Sequence, residues 1–258
     1  MLLKKSVRSI HLILIGLSLL VSAKSVVAEP VTISSSEEHT YFLELYTSQG
    51  CSSCPPAEHW IGQFTENKNL WKSIIPVNFH VNYWDYLGWV DPFGSAVFSQ
   101  RQRTYAALGH SRIIATPGFM IDGKGWQGWF KGTGFPKPNI KSSNKLTATI
   151  DDTQVKLDFD SITDNDLVAH VALLGFGVKT DVTGGENNRR VLSHDFVVIG
   201  YEQGVMTVDN NSSSIDLPFP VPVEVDTTKT ALVVWVSTKD DPSPIQVAAD
   251  WYSKTEPL

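Results

Sequence analysis

The chain has 258 residues, with 27 acidic against 21 basic side chains and a formal net charge of −6. That acidic balance argues against nucleic acid or an anionic lipid surface as a partner. Two cysteines in a chain of this length exclude a disulfide-stapled scaffold, and the length suffices for one large core or two domains.

Residues 1–28 read as a secretory signal peptide. Lys4, Lys5 and Arg8 form a positive start, residues 10–21 are apolar, and Val26, Val27 and Ala28 offer small residues for cleavage. As a helix the apolar run would rise only about 18 Å, short of a bilayer core of about 30 Å, so cleavage is expected and stable membrane insertion afterwards is not. Loss of Lys4, Lys5, Arg8 and Lys24 with no acidic residue takes the net charge to −10.

Residues 29–40 are polar and read as a flexible lead-in. A strand follows at 41–46, then Gly50-Cys51-Ser52-Ser53-Cys54-Pro55-Pro56, then a helix over 56–66 whose Ala57, Trp60, Ile61 and Phe64 share one face. Ile75, Val77, Phe79 and Val81 alternate and predict a strand over 74–81, with Pro76 pushing its start forward. Residues 82–94 are aromatic and aperiodic and suit a compact loop. Ser95 caps a predicted helix over 96–108, which Gly109 ends. Val97, Phe98, Tyr105 and Leu108 are expected to face inward there, with Arg101 and Arg103 pointing elsewhere. Asp122-Gly123 turns a hairpin between residues 118–121 and a returning strand at 126–130.

The Gly-, Pro- and Ser-rich stretch 131–145 marks an expected domain boundary, dividing 41–140 from 141–258. Beyond it Val155, Leu157 and Phe159 alternate, as do Leu167, Ala169, Val171 and Leu173, and Ile245, Val247, Ala249 and Trp251. Residues 231–236 are apolar throughout and suit a buried central strand. Strands spaced by turns without amphipathic helices predict an all-β, sandwich-like C-terminal domain.

The C-x-x-C lies where a strand hands over to a helix. A thiolate at a helix start is stabilised by unpaired N–H groups and the positive end of the helix dipole. That assigns Cys51 as an exposed nucleophile and Cys54 as the deeper, resolving thiol. A Cys51–Cys54 disulfide closes so small a loop that it would stabilise by only about 2 kcal/mol, which makes a redox role the better reading than a staple. The residue before a proline avoids helical backbone, so an irregular first turn at Cys54 is expected. There is no second C-x-x-C and no H-E-x-x-H or G-x-S-x-G, and no histidine pair has metal-ligand spacing, so no resident metal and no bound cofactor are expected.

The strand at 42–46, Cys51-Ser52-Ser53-Cys54, the helix behind it and Thr116-Pro117 opening a strand–turn–strand together resemble the thioredoxin-like superfamily. The resemblance implies an α/β thioredoxin-like N-terminal domain, with Pro117 as a cis-proline facing the cysteines and Thr116 contacting substrate backbone. It also implies a final helix, for which only 138–146 is available, and a proton-moving carboxylate, for which Glu44 is the candidate. More narrowly, residues 43–57, residues 79–89 and Gly185-Glu186-Asn187 resemble a family of secreted bacterial proteins catalogued as a domain of unknown function.

On this footing the expected function is a periplasmic thiol–disulfide oxidoreductase whose partners are protein thiols or disulfides. Two alternatives stay open. One is a Cu(I) module using both cysteines and His80; the other is an interaction protein with an inert disulfide. Trp84, Trp89 and Phe93 either wall a substrate groove or pack down their loop. His80 either serves the site as proton donor or ligand, or is a structural histidine. The segment Gly184-Gly185-Glu186-Asn187 reads as a hairpin tip or as a contact between domains. Oxidant, reductant or isomerase character and oligomeric state are not encoded in any motif.

Overall fold

The computed structural model describes residues 30–137, 144–151, 153–161, 166–209 and 212–253. The signal peptide expected at 1–28 and most of the helix expected at 138–146 lie outside the described residues. The chain runs β1 (Val31–Ser34), β2 (Tyr41–Thr47), α1 (Pro55–Gly62), β3 (Ile74–His80), α2 (Ala96–Ala107), β4 (Gly118–Ile121), β5 (Lys124–Gly125) and α3 (Gly128–Lys131). It continues β6 (Leu146–Ile150), β7 (Gln154–Phe159), β8 (Leu167–Phe176), β9 (Val178–Val182), β10 (Arg190–His194) and β11 (Val197–Val205). It closes with β12 (Thr207–Asp209), β13 (Ser212–Pro218), β14 (Lys229–Thr238) and β15 (Gln246–Tyr252).

The expected α/β thioredoxin-like N-terminal domain followed by a separate all-β sandwich is overturned by the sheet topology. The described residues are mainly β, and one eight-stranded sheet has the order β15-β14-β8-β11-β3-β2-β4-β5. It passes straight through the position expected for a domain boundary. The join is β11 lying parallel to β3, with Val197 opposite Asn78. The Asn78 N–H donates to the Phe196 carbonyl at 2.9 Å, and its side-chain amide donates to the Asp195 carbonyl at 2.7 Å. Alternation of apolar residues identifies strands one at a time and carries no information about which edge each will pair with. Pro76 is tolerated inside β3 because its missing N–H has the parity of Asn78. It therefore faces β11, where pairing reaches only Asn78.

β14 shows why residues 231–236 are apolar throughout. Ala231, Val233 and Trp235 enter one core with Phe42, Phe79 and, from α1 and α2, Ile61 and Phe98. Leu232, Val234 and Val236 enter a second core with Val155, Leu157 and Leu217 from the five-stranded sheet β1-β6-β7-β13-β12. A strand covered on both faces has no polar side. Val31–Ser34, read as lead-in, is β1 and pairs antiparallel with β6.

Three local expectations change. The returning strand expected at 126–130 is absent: β5 pairs only Lys124–Gly125, ahead of that span, and α3 takes up Gly128–Lys131. Val97 and Leu108 are exposed, while Arg101, expected to point elsewhere, is buried. Its guanidinium donates to Glu44 at 2.8 and 3.2 Å and lies 5.2–5.6 Å from the ring centres of Phe79, Tyr105 and Trp235. Tyr46 and Tyr105 donate their hydroxyls to the same carboxylate at 2.8 and 2.7 Å. Glu44's acceptor sites are therefore all used, mostly on Arg101 and Tyr105, which hold α2 against the sheet.

Glu44→Ala leaves the Arg101 charge buried without its partner, and urea unfolding is expected to show a loss of about 3–5 kcal/mol. A loss below about 1 kcal/mol would mean that water reaches the guanidinium.

Candidate functional site

Each element of the cysteine site is set by its local sequence. β2 ends at Thr47, and the chain turns through Ser48 to Cys54. The Cys51 N–H donates to the Ser48 carbonyl at 3.1 Å, and the Cys54 N–H donates to the Cys51 carbonyl at 3.2 Å. Pro55 and Pro56 occupy the first turn of α1, where a missing N–H costs nothing. Cys54 nonetheless holds helical backbone, with φ −78° and ψ −39°, so the irregular turn expected before Pro55 is absent.

Both cysteines are free thiols in the structure. Cys51 Sγ lies 3.3 Å from Ser53 Oγ and 3.6 Å from the Thr116 carbonyl oxygen. The Thr116–Pro117 peptide is cis, and it is the Thr116 carbonyl that meets Cys51 Sγ. The Cys51 thiol is lowered to about 6, first by the hydrogen bond from Cys54 and then, against the opposing effect of burial, by Ser53 and Thr116. Cys54 is raised well above its ordinary value by burial, by the Cys51 sulfur, and by the charge of Glu58. The two thiols are thus pushed apart, one toward thiolate and one toward thiol.

The exposure expected for Cys51 is not found, since the residue is 1% exposed. A strap from the C-terminal half lies against the turn that carries it. The loop between β9 and β10 brings Asn187, fully buried, to donate its side-chain amide to the carbonyls of Gln49 and Cys51, each at 2.9 Å. Glu186 accepts from the Ser52 N–H and hydroxyl, both at 2.8 Å. Gly184 is required here, because a Cβ would sit 2.3 Å from the Gly88 carbonyl oxygen. Gly185 has φ +65° and lies against Gly50. Of the two readings of this segment, the hairpin tip makes the contact between the halves.

The other expected site residues divide. Trp84 is half-buried and donates its indole N–H to Thr116 Oγ1 at 2.8 Å, so it braces the cis-peptide. Trp89 donates to Gln49 Oε1 at 2.9 Å and packs under the strap. Phe93 is buried edge-on against His80 and His194, so it does not wall a substrate groove. His80 is fully buried and hydrogen-bonded to Asp91 at 2.8 Å, which removes it from substrate contact. Glu44 faces Arg101, away from the cysteines; the carboxylate whose charge reaches Cys54 is Glu58, one turn further along α1. The i,i+4 spacing of Cys54 and Glu58 is legible in sequence. The partner of Glu58, His194, is 136 residues away and carried no signal.

A cavity of about 370 Å³ opens beside the pair, lined by Ser53, Thr116, Pro117, Phe119, Trp129 and Phe130. Phe130 and nearby Ile113 are exposed apolar residues at this side. Among the described residues, the group of His, Cys, Asp and Glu side chains whose ligand atoms cluster is Glu58, His80 and His194, and neither cysteine belongs to it. The Cu(I) arrangement of both cysteines with His80 therefore has no geometric support.

A family profile described as a protein of unknown function (DUF1223) matches residues 42–237, and the chain belongs to that family. No curated protein matches the sequence. The crystal structure of protein AGR_C_4864 from Agrobacterium tumefaciens is similar at 21% identity, with a TM-score of 0.53, covering 85% of this chain and 97% of that one. HBP35 of Porphyromonas gingivalis is similar at 15% identity, with a TM-score of 0.52, covering 86% of this chain and 77% of that one. Likeness at these identities speaks to the fold alone.

Alkylation of the reduced protein is expected to give one reactive thiol whose rate rises as pH passes upward through about 6, with the second unreactive until far higher pH. Asn187→Ala leaves two carbonyls without their donor and should cost about 1–3 kcal/mol of strap closure. Cys51 alkylation should then run roughly tenfold faster or more. Equal rates in both proteins would show that the strap does not control access.

Proposed function

We propose that this member of the DUF1223 family is a periplasmic thiol–disulfide oxidoreductase acting on protein thiols or disulfides. The observation that carries the reading is the split between the two thiols: Cys51 lowered to about 6, and Cys54 beside it raised. A nucleophile has to be ionised at working pH, and a resolving thiol has to stay protonated until its turn. The site also resembles the active-site corner of the thioredoxin-like superfamily in its strand, C-x-x-C, helix start and cis-Pro117.

In the reducing direction, the Cys51 thiolate attacks one sulfur of a substrate disulfide. A Cys51–substrate disulfide forms, and the other substrate sulfur leaves as a thiolate that takes a proton from water. Cys54 then attacks the Cys51 sulfur and its proton passes to the departing substrate thiolate. The substrate gains two electrons and the protein ends as the Cys51–Cys54 disulfide; the oxidising direction is the reverse. The cavity beside Pro117, with Trp129 and Phe130 in its wall, is the surface available to an apolar substrate segment. The strap has to lift for the sulfur to be reached.

A stabilised Cys51 thiolate favours the reduced protein, so the pair is expected to equilibrate with glutathione at a potential between about −270 and −120 mV. Cys54→Ser should accumulate mixed disulfides with periplasmic proteins. No adduct in such extracts, together with no equilibration with glutathione, would end this reading.

A further inference from the structure

We propose that Glu58, His80 and His194 form a buried site for a divalent transition-metal ion, Zn(II) by ligand type, separate from the cysteine pair. The three residues stand on α1, β3 and β10, and their ligand atoms all lie within 4.8 Å of one another. They are 4%, 0% and 1% exposed. Two imidazoles and a carboxylate are a recurring protein ligand set for zinc.

The second observation is the free nitrogen of His80. Its Nδ1 is engaged by Asp91 Oδ2 at 2.8 Å, and its Nε2 is buried with no hydrogen-bond partner. A buried ring nitrogen without a partner is destabilising. A carboxylate behind one nitrogen and a bare position at the other is how a metal-ligating imidazole is held. Asp91 is itself fixed, accepting from the N–H groups of Gln49 at 2.8 Å and Phe93 at 3.0 Å.

The other two ligands are buttressed as well. Thr47 donates its hydroxyl to Glu58 Oε1, and the Gln49 side chain meets His194 Nε2 at 3.0 Å. Charge points the same way: Glu58 and Asp91 are two buried carboxylates that a dication balances. An entry path exists, since a cavity of about 390 Å³ walled partly by exposed His59 and Arg190 reaches Glu58 and His194.

Loading rearranges one proton. His194 Nδ1 now faces Glu58 Oε2, and Gln49 Oε1 accepts from Trp89. For Nδ1 to give its lone pair to the metal, the ring proton moves from Nδ1, where it now faces Glu58, to Nε2, and Gln49 turns its amide so that the oxygen receives it. Any proton on His80 Nε2 is released to water. The ion then ties together α1, β3 and the hairpin that carries the strap.

The test uses the mature protein with both cysteines replaced by serine, stripped with chelator and titrated with Zn(II) by calorimetry. Expected are one equivalent bound, a raised Tm, a loss of affinity of at least 100-fold in His80→Gln, and a loss of roughly 10- to 100-fold in Asp91→Asn. No stoichiometric binding to the cysteine-free protein overturns the proposal, as does unchanged affinity in a cooperatively melting His80→Gln. Should His80→Gln not fold, a crystal of the cysteine-free protein grown with Zn(II) decides. An anomalous peak shared by the three side chains supports the site, and a water in that place overturns it.

Discussion

The side-chain amide of Asn187 ties the C-terminal half of the chain to the turn that carries the reactive cysteine. The turn that carries Cys51 leaves the carbonyls of Gln49 and Cys51 facing inward, where water does not reach. Buried carbonyls need donors. Asn187 supplies both from a hairpin more than 130 residues away in sequence. Its arrival depends in turn on β11 lying along β3, because that pairing places β9 and β10 above the helix start. The cysteine turn, the strap and the shared sheet are therefore one construction.

That construction explains how a low-pKa thiol can also be a covered one. Ionisation of Cys51 is favoured by neighbours close in sequence, Cys54 and Ser53, with Thr116 opposite. The backbone of the same turn is held by the strap, through Asn187 and Glu186. Ionisation of the thiol and anchoring of its turn thus come from different parts of the chain. Glu186 is an exposed strap residue, and it takes both polar hydrogens of Ser52. An exposed link of that kind is weak, which suits a cover that has to move.

Beneath the cysteine turn the polar residues form two distinct networks. Glu44, Arg101, Tyr46 and Tyr105 make a closed set in which each carboxylate acceptor is used. Burial pushes the carboxyl of Glu58 up, but His194 and His80 outweigh it, and the group is held below its ordinary value. For His80 burial acts downward, and Asp91 outweighs it upward. This second network is buried and still has an unused nitrogen. The first is a structural brace; the second has capacity left over.

The sequence by itself determined the local chemistry. Ser52 and Ser53 between two cysteines, prolines opening a helix, a serine cap at Ser95 and the alternation in β7, β8 and β15 are all settled by neighbours a few residues apart, and their spacing shows it. Residues 43–57 also carried the family. Only the tertiary structure decided the rest. Glu44 and Glu58 are both acids near the motif, but which of them meets a thiol depends on where α2 sets down Arg101. His80 and His194 have no spacing to betray them, because they converge only after β11 has chosen the edge of β3. Strand pairing between distant segments is selected by the burial of whole faces and the satisfaction of backbone groups across the fold, and neither leaves a periodic trace in the chain.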